Sequence, residues 1–293
     1  MDGVIVMNKP RGKTSHDMVY FIRKTCGIKK VGHTGTLDPA ATGVLPICIG
    51  KATKAADMLT ASDKSYRAEL LLGMTTDTLD AEGEILTEQP FDYVSKELFE
   101  ETIQKFIGEI YQIPPMFSAI KKDGKKLYEL AREGKTVERE KRKVTIERIE
   151  LLSFDREKGL ATIDVDCSKG TYIRTLCEDI GTALGCGAYM NSLVRTKSGR
   201  FTIDKSYTEE EIKKMSETNE LAKALIPTDE LFEAYEKVIV SEKQAELVKN
   251  GVRIRKNGLE DGKLYRIYSP KDEFLSISEY KDGVLVLKKS FWT

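Results

Sequence analysis

Apolar residues in the first 230 positions follow two kinds of pattern, one typical of strands and one typical of helices, in different segments of the chain. Strands are indicated where apolar residues run together or alternate, at 4–7, 44–49, 65–72, 144–154, 160–167 and 189–203. Helices are indicated where they recur every three or four positions, at 16–26, 52–61, 95–107, 127–133, 171–184 and from 209. Ser15 is the expected N-cap of the first helix, and Gly27 follows its end. Since strands and helices do not alternate regularly, the pattern predicts an α+β fold rather than a doubly wound sheet.

Two segments depart from this pattern and define the expected domain organisation. Residues 112–142 contain Pro114 and Pro115, a lysine-rich turn and a short helix, which is typical of a protruding insertion. Beyond residue 230 the chain changes to short strands separated by glycine-containing turns, at 252–255, 264–268, 274–279 and 284–288. We therefore expect a first domain over 1–229 and a small β-barrel-like domain over 230–293.

Composition places the chain among ordinary globular proteins and narrows its chemistry. Of its 293 residues 40% are hydrophobic and 32% charged, and no apolar run approaches the ~20 residues that a membrane span needs. The start, Met-Asp-Gly-Val-Ile-Val, lacks the pattern of a secretory signal. Five cysteines without a C-x-x-C pair indicate buried thiols in a reducing compartment, and no pair of metal-type ligands has a recognised spacing. We expect a cytoplasmic protein with no membrane contact, no metal and no cofactor.

The formal net charge is zero, but the charges are segregated along the sequence. Residues 1–54 carry nine basic against three acidic side chains, residues 121–148 eleven against six, and residues 75–101 one against nine. Such segregation can form a basic face that binds phosphates on a neutral protein. The same segments could equally be solvated faces of helices and hairpins, so charge permits RNA binding without demonstrating it.

Candidate catalytic residues are concentrated in residues 32–54, where Asp38 and His33 occupy a glycine-rich stretch ahead of an apolar run. Pro39 directs Asp38 toward an extended backbone, and the glycines permit tight turns and close approach of a ligand. A phosphate-binding P-loop is excluded because alanine, not serine or threonine, follows Lys51. No strand is followed by G-x-G-x-x-G, so a dinucleotide site is not expected. By itself, an Asp-Pro pair in such a stretch is most often a simple turn.

Five ordered motifs together resemble the TruB-type tRNA pseudouridine synthases over about residues 1–230. The stretch 32–54 resembles the catalytic motif of that family, in which the aspartate is essential. The other four are NKPRGKTS at 8–15, DKSYR with GMTTDTLDAEG within 63–83, KGTYIRTL at 169–176 and SLVRT at 192–196. The insertion, with PPMFSAIK at 114–121, resembles the family's RNA-clasping segment, and the C-terminal region resembles its PUA-like tail.

The resemblance implies a pseudouridine synthase fold, with a central mixed, mainly antiparallel sheet flanked by helices and a small C-terminal PUA-like β-barrel domain. It also implies an isomerase that breaks the N-glycosidic bond of a uridine and rejoins the base through C5. Asp38 would supply the carboxylate, as carboxylates do in covalent glycosidic chemistry. Attack at the sugar C1′, attack at the base C6 and a glycal route all remain open. Arg174 resembles the family's partner of the aspartate, because a guanidinium can hold a carboxylate by two hydrogen bonds.

Further residues take roles from the same resemblance. Tyr66 would stack on the flipped uracil with its hydroxyl available for proton transfer, although its strand position equally suits a core aromatic. Leu193 would wall the pocket, and Lys9 would lie at its floor. His33 would fill the stack that the flipped base leaves. The basic residues of the insertion, which would contact phosphates, are Lys121, Lys122, Lys125, Lys126 and Arg132.

The implied substrate is tRNA, at the T-loop uridine that is position 55 in tRNA numbering. The enzyme is expected to be a monomer that needs no protein partner. Two alternatives remain open. One is a non-catalytic RNA-binding or tRNA-folding protein on the same scaffold, which would not need Asp38, Tyr66 and Arg174 intact. The other is a glycosidase-like or phosphate-handling enzyme, which would need a second carboxylate or a phosphate loop near Asp38, and the sequence offers neither.

Overall fold

Strands make up most of the regular structure in the computed structural model, which describes residues 1–292. In chain order they are β1 (Gly3–Lys9), β2 (Val31–His33), β3 (Thr42–Ile49), β4 (Lys64–Leu72), β5 (Met74–Thr76), β6 (Ile85–Glu88), β7 (Gly108–Gln112), β8 (Lys121–Lys122), β9 (Lys125–Lys126), β10 (Arg142–Asp155), β11 (Leu160–Cys167), β12 (Ala188–Ser198), β13 (Phe201–Thr202), β14 (Ile226–Pro227), β15 (Glu236–Ile239), β16 (Ile254–Arg255), β17 (Leu264–Tyr268), β18 (Phe274–Lys281) and β19 (Val284–Ser290).

A ten-stranded sheet forms the centre of the fold, in the order β14, β1, β3, β12, β4, β11, β10, β7, with β2 paired to β3 and β13 to β12. Its neighbouring strands are antiparallel except β3 and β12, which run parallel. The predicted mixed, mainly antiparallel sheet is therefore confirmed. The pairing of β12 with both β3 and β4 brings together segments that are far apart in the sequence.

Seven helices accompany the strands within residues 1–292: α1 (Ser15–Cys26), α2 (Ala56–Thr60), α3 (Lys96–Gln104), α4 (Leu127–Arg132), α5 (Ile173–Leu184), α6 (Glu209–Glu217) and α7 (Glu242–Lys249). The main core lies between the central sheet and α1, α3 and α5, whose apolar faces contribute residues such as Ile22, Phe99 and Ile180. The strand β11 alternates between buried and partly exposed positions because only one of its faces meets this core.

The start of α1 differs from the expectation, because Thr14 and not Ser15 is its N-cap. The hydroxyl of Thr14 accepts a hydrogen bond from the backbone N–H of Asp17 (3.1 Å), and the Asp17 carboxylate accepts one from the backbone N–H of Thr14 (2.7 Å). This reciprocal arrangement is a capping box. Ser15 is instead turned toward Leu37, in the segment that carries Asp38.

A second, PUA-like sheet follows residue 235, in the order β15, β17, β18, β19, β16. Its strands β15 and β17 are parallel, and its other pairs are antiparallel. The expected short strands are present, but the glycine-punctuated pattern misses β15 and α7. Phe232, Phe274 and Phe291 pack in one cluster with Val44 and Cys48 of β3, so β3 is buried on both faces. The division of the chain at 229/230 remains a prediction.

The segment between β7 and β10 is a small substructure of its own. Its hairpin β8–β9 turns through Asp123 and Gly124, which have φ of 51° and 84°. The helix α4 is joined to the irregular segment before β8 by a hydrogen bond from the backbone N–H of Tyr128 to the carbonyl of Ser118 (3.1 Å). Among residues 1–292, no helix is both long and apolar enough to cross a membrane.

Candidate active site

Asp38 lies on the loop 34–41 between β2 and β3, named the Asp38 loop from here on. The hydroxyl of Ser15 holds this loop, because it accepts a hydrogen bond from the N–H of Leu37 (2.8 Å) and donates one to the carbonyl of Leu37 (3.2 Å). The carbonyl of Asp38 accepts a hydrogen bond from the N–H of Ala41 (3.1 Å), which closes a turn. The backbone is therefore fixed on both sides of the carboxylate.

A glycine at the start of β3 lets the Asp38 loop approach β12 closely. Gly43 has φ of +100°, and a Cβ at this position would lie 2.3 Å from the carbonyl oxygen of Arg195. Another residue would require one of the two strands to move, besides the strain of the left-handed backbone. The close packing of the two strands therefore explains why a glycine occupies position 43.

The carboxylate of Asp38 forms an ion pair with Arg174, near the start of α5. The Nη2 atom of Arg174 lies 2.9 Å from Oδ2 of Asp38. The Arg174 side chain is 6% exposed and that of Asp38 is 41% exposed, so the carboxylate remains accessible while its partner is buried. A charge-assisted contact of this kind restricts the orientation of the carboxylate.

Further acceptors hold Arg174 itself. Its Nη2 donates to the carbonyl of Phe117 (2.8 Å) and its Nη1 to the carbonyl of Thr78 (3.2 Å). Oδ2 of Asp80 lies 3.6 Å from Nη1, and Oδ1 of Asp80 accepts a hydrogen bond from the Thr78 hydroxyl (2.6 Å). These partners offset the desolvation cost of burying the Arg174 cation. They also offset its unfavourable interaction with the positive end of the α5 dipole.

A cavity of about 610 Å³ opens beside the ion pair. Its volume falls within the range of about 300–1,000 Å³ that is typical of ligand pockets. Four of the predicted site residues line it, namely Asp38, Tyr66, Arg174 and Leu193. Lys9, His33 and the five insertion residues that were predicted to contact phosphates do not line it, namely Lys121, Lys122, Lys125, Lys126 and Arg132.

The remaining lining of the cavity is mixed, with basic, apolar and hydroxyl side chains and one further carboxylate, Asp57. Its basic members are Lys64, Arg142, Lys143, Lys169 and Arg195, and its apolar surface includes Phe117, Tyr172 and Ile173. Within residues 1–292, no group of three or more His, Cys, Asp or Glu side chains could hold a metal ion. The lining suits a flat base attached to a phosphate-bearing chain.

Tyr66 lies on β4 directly opposite Arg195 of β12. Its ring packs partly against the main core and also lines the cavity, so it is a partly buried aromatic that a ligand in the cavity could reach, and its role toward a base remains a prediction. Burial raises the pKa of the Tyr66 hydroxyl above its ordinary value, so the group keeps its proton at neutral pH.

Lys9 lies under the Asp38 loop. Its Nζ donates to the carbonyls of Pro10 (2.9 Å), Lys13 (2.6 Å) and Pro39 (3.2 Å), and the residue is 0% exposed. Burial lowers the pKa of Lys9 to about 8, while the Asp38 carboxylate acts in the opposite direction. These contacts support the backbone that follows Asp38.

Replacing Lys9 by methionine is expected to lower the free energy of unfolding by about 2 kcal/mol or more, because buried carbonyls lose their donor at about 1–3 kcal/mol each. Urea unfolding at pH 7 measures the change. Lys13→Met is the matched control, since exposed Lys13 pairs only with Glu209 and such a pair contributes about 1 kcal/mol or less. Equal losses in the two variants would contradict the supporting role.

The lowered pKa of Lys9 gives the same comparison a pH dependence. Because the folded-state pKa is about 8 and the unfolded value is 10.5, the unfolded chain binds more protons between these values. The wild type should therefore gain stability relative to Lys9→Met as the pH rises from about 8 to 10.5. A constant difference across this window would show that the pKa of Lys9 is not lowered.

His33 ends β2, two residues before Gly35, which lines the cavity. Its ring meets that of His16 edge-on, with 5.7 Å between centroids and 80° between planes. Burial lowers the pKa of His33 below its ordinary value, so the ring is neutral at pH 7. In the described part of the chain, its buried Nδ1 has no hydrogen-bond partner.

The basic residues of the insertion lie on the β8–β9 hairpin and α4. Lys121 is exposed, Lys122 donates to a backbone carbonyl (2.6 Å), and Nζ of Lys125 lies 3.3 Å from a glutamate oxygen. The guanidinium of Arg132 lies over the ring of Tyr128, 5.5 Å from its centroid. Exposed pairs of this kind are weak, so these side chains can exchange their partners for phosphates.

Two side chains at the centre of the site have no role in the sequence interpretation. Asp80 and Arg195 stand inside the motifs TLDAEG and SLVRT, so their positions are visible in the sequence. Their contacts with Arg174 and with the Asp38 loop are long-range. Spacing along the chain contains no signal for such contacts.

The mixed sheet that holds the Asp38–Arg174 ion pair beside this cavity is that of a pseudouridine synthase, as the comparison with family models shows. Residues 23–173 match the family model described as TruB family pseudouridylate synthase (N terminal domain). Residues 174–233 match the tRNA pseudouridylate synthase B C-terminal domain. The chain belongs to the TruB family.

Known relatives are similar over nearly the full length. Over 295 aligned residues the chain is 44% identical to tRNA pseudouridine synthase B of Clostridium perfringens (strain 13 / Type A), covering 99% of this chain and 98% of that one. Over 261 residues it is 50% identical to tRNA pseudouridine synthase B of Alkaliphilus oremlandii (strain OhILAs), covering 89% and 85%. A chain in the crystal structure of a Cbf5–Nop10–Gar1 complex is 28% identical, with a TM-score of 0.74 over 99% of this chain and 85% of that one.

Proposed function

We infer that the protein isomerises uridine to pseudouridine in tRNA, and we propose position 55 of the T-loop as its site. The observation that carries this inference is the Asp38–Arg174 ion pair, which lies beside a cavity of about 610 Å³ in a TruB-family chain. The relatives from Clostridium perfringens and Alkaliphilus oremlandii are named tRNA pseudouridine synthase B.

The reaction is an exchange of bonds within one nucleotide. The N1–C1′ bond breaks and a C5–C1′ bond forms, while the proton on C5 leaves and N1 gains one. No oxidant or reductant enters this balance. Asp38 supplies the carboxylate, whether it attacks C1′ or C6 or acts through a glycal, and Arg174 keeps it aimed into the cavity.

A uridine in a folded loop must leave its stack before it reaches this cavity, at a cost of about a few kcal/mol. Tyr66 would stack on the flipped base and hold a protonated hydroxyl near it, and Leu193 would close the opposite wall. The flat, neutral ring of His33 would occupy the vacated place in the RNA stack.

The other parts of the chain would serve RNA binding. We propose that residues 1–229 carry the chemistry and that 230–293 add RNA-binding surface. We propose that the enzyme acts as a monomer and needs no obligatory protein partner. Because it acts on tRNA, we place it in the cytoplasm.

The test is incubation of the wild-type protein with an unmodified tRNA transcript, followed by mapping of pseudouridine at single-nucleotide resolution. Modification at uridine 55 alone is the expected result. Modification elsewhere in the tRNA would retain the reaction and overturn the position. Tight binding without any modification would favour the RNA-binding or tRNA-folding protein.

The insertion is expected to bind RNA through its phosphates. Replacing both Lys121 and Lys125 by alanine should make the slope of log Kd against log salt concentration shallower by about 1.4–1.8, because each phosphate contact contributes about 0.7–0.9. Filter binding of a T-arm RNA between 50 and 300 mM salt, roughly the range in which such slopes are measured, gives the number.

The matched control is a double alanine variant of Lys96 and Lys158, two exposed lysines on other elements that pair with Glu100 and Asp155. Its slope should equal that of the wild type. Equal slopes for all three proteins would show that the hairpin lysines do not contact phosphates.

A further inference from the structure

We propose that Arg195 is a positioning residue that ties the Asp38 loop to Tyr66, so that the carboxylate and the aromatic ring keep one fixed spacing across the cavity. The proposal rests on the proposed function, because it concerns the geometry of that reaction. It is independent of Arg174, which contacts the carboxylate itself.

The first support is the place of Arg195 in the sheet. β12 lies between β3 and β4, so it is the only strand in residues 1–292 that pairs with both. Arg195 is in register with Gly43 of β3 on one side and with Tyr66 of β4 on the other. A single residue therefore faces the strand that follows Asp38 and the strand that carries Tyr66.

The second support is the pattern of its hydrogen bonds. Its Nε donates to the carbonyl of Val44 (2.7 Å), just after the Asp38 loop. Its Nη1 and Nη2 lie 3.5 Å and 3.4 Å from the carbonyl oxygens of Thr36 and Gly35, inside that loop. The planar fork of a guanidinium meets these acceptors with donors in fixed directions, whereas a lysine at this position would present one compact ammonium group on a flexible stem.

The third support is burial. Arg195 is 1% exposed, and its acceptors are backbone carbonyls rather than a carboxylate. A buried cation without an anionic partner is costly. Its charge opposes the rise in the pKa of Tyr66, and it contributes to the lowered pKa values of Lys9, His33 and Lys64.

The test compares Arg195→Lys with the wild type in single-turnover assays on a T-arm RNA, with enzyme in excess. The charge is retained but the fork is lost, so the rate of pseudouridine formation should fall about 100-fold, the size expected when reacting groups are misplaced by about 1 Å. Affinity for the RNA should stay within about threefold, because no phosphate contact is removed. Arg67→Lys is the matched control, as Arg67 neighbours Tyr66 in the chain but pairs with Asp164 at the surface.

The link to Tyr66 is tested by a double-mutant cycle. In a Tyr66→Phe background the change Arg195→Lys should cost about tenfold or less, because the Tyr66 hydroxyl, the polar group opposite Arg195 in the strand pair that the proposal links to it, is already absent. Equal costs in the two backgrounds would overturn the link. An unchanged rate in Arg195→Lys, or a loss explained wholly by weaker RNA binding, would overturn the proposal.

A measurement on the intact site covers the case in which Arg195→Lys does not fold. Tyr66→Phe should shift the Nε–H signal of Arg195 in an arginine-selective NMR spectrum and leave that of Arg67 in place. An unmoved Arg195 signal would overturn the proposal. A wild-type protein that forms no pseudouridine would instead overturn the proposed function, so the two failures are distinguishable.

Discussion

Asp38→Asn is expected to abolish pseudouridine formation, with a loss on the order of 10⁴-fold or more, as when other enzymes lose a nucleophile. The amide keeps the shape of the side chain and removes the charge that lies 2.9 Å from Arg174. Single-turnover assays on an unmodified tRNA transcript measure the loss. Affinity for the tRNA should change little, because we propose that basic residues elsewhere bind the phosphates.

Asp164→Asn is the control for this substitution. It removes the same charge from β11, where Asp164 forms an ion pair with Arg67 on the surface (2.8 Å). Its turnover should equal that of the wild type. If Asp38→Asn retained a tenth of the wild-type rate, the carboxylate could not be the essential group, and the assignment of Asp38 would be wrong.

Arg174→Lys is expected to reduce the single-turnover rate by about 100-fold or more, since a displaced catalytic group costs about that much. Lysine keeps the charge but cannot meet Asp38, Phe117 and Thr78 with one rigid group. The expected signature is a loss in rate with little change in the Kd for RNA, because Arg174 is buried behind the carboxylate.

Arg148→Lys is the matched control, as Arg148 pairs with Asp166 and Glu150 on an exposed face. It should behave as the wild type in both rate and affinity. A parallel loss of rate and RNA affinity in Arg174→Lys would indicate that Arg174 binds phosphate rather than orienting the carboxylate.

The sequence predicts the residues that line the cavity better than the residues that hold them in place. Asp38, Tyr66, Arg174 and Leu193 line one cavity, and each could be named from the sequence because it stands in a motif that resembles the TruB family. Their roles in the reaction remain predictions. Asp80 and Arg195 act through contacts between distant segments, which no spacing along the chain encodes.

The prediction of secondary structure is limited in a similar way, at the ends of single helices. At the start of α1, Thr14 and Ser15 are both good N-caps, and only Asp17 at the third helical position decides for Thr14. The helix α7 had a comparable signal, because Ser241 and Gln244 form a capping box. The turn glycines that follow this helix led the C-terminal pattern to be interpreted as strands alone.

The place of β12 between β3 and β4 has a consequence for how the protein is made. During synthesis the ribosome releases Asp38 and Tyr66 long before α5 and β12, so the nascent chain holds the carboxylate without its guanidinium. Until residue 198 has emerged, the facing edges of β3 and β4 stay open, which is a hazard for edge-to-edge association. Catalytic competence thus arrives late in translation, and pseudouridine formation would report that the central sheet has closed.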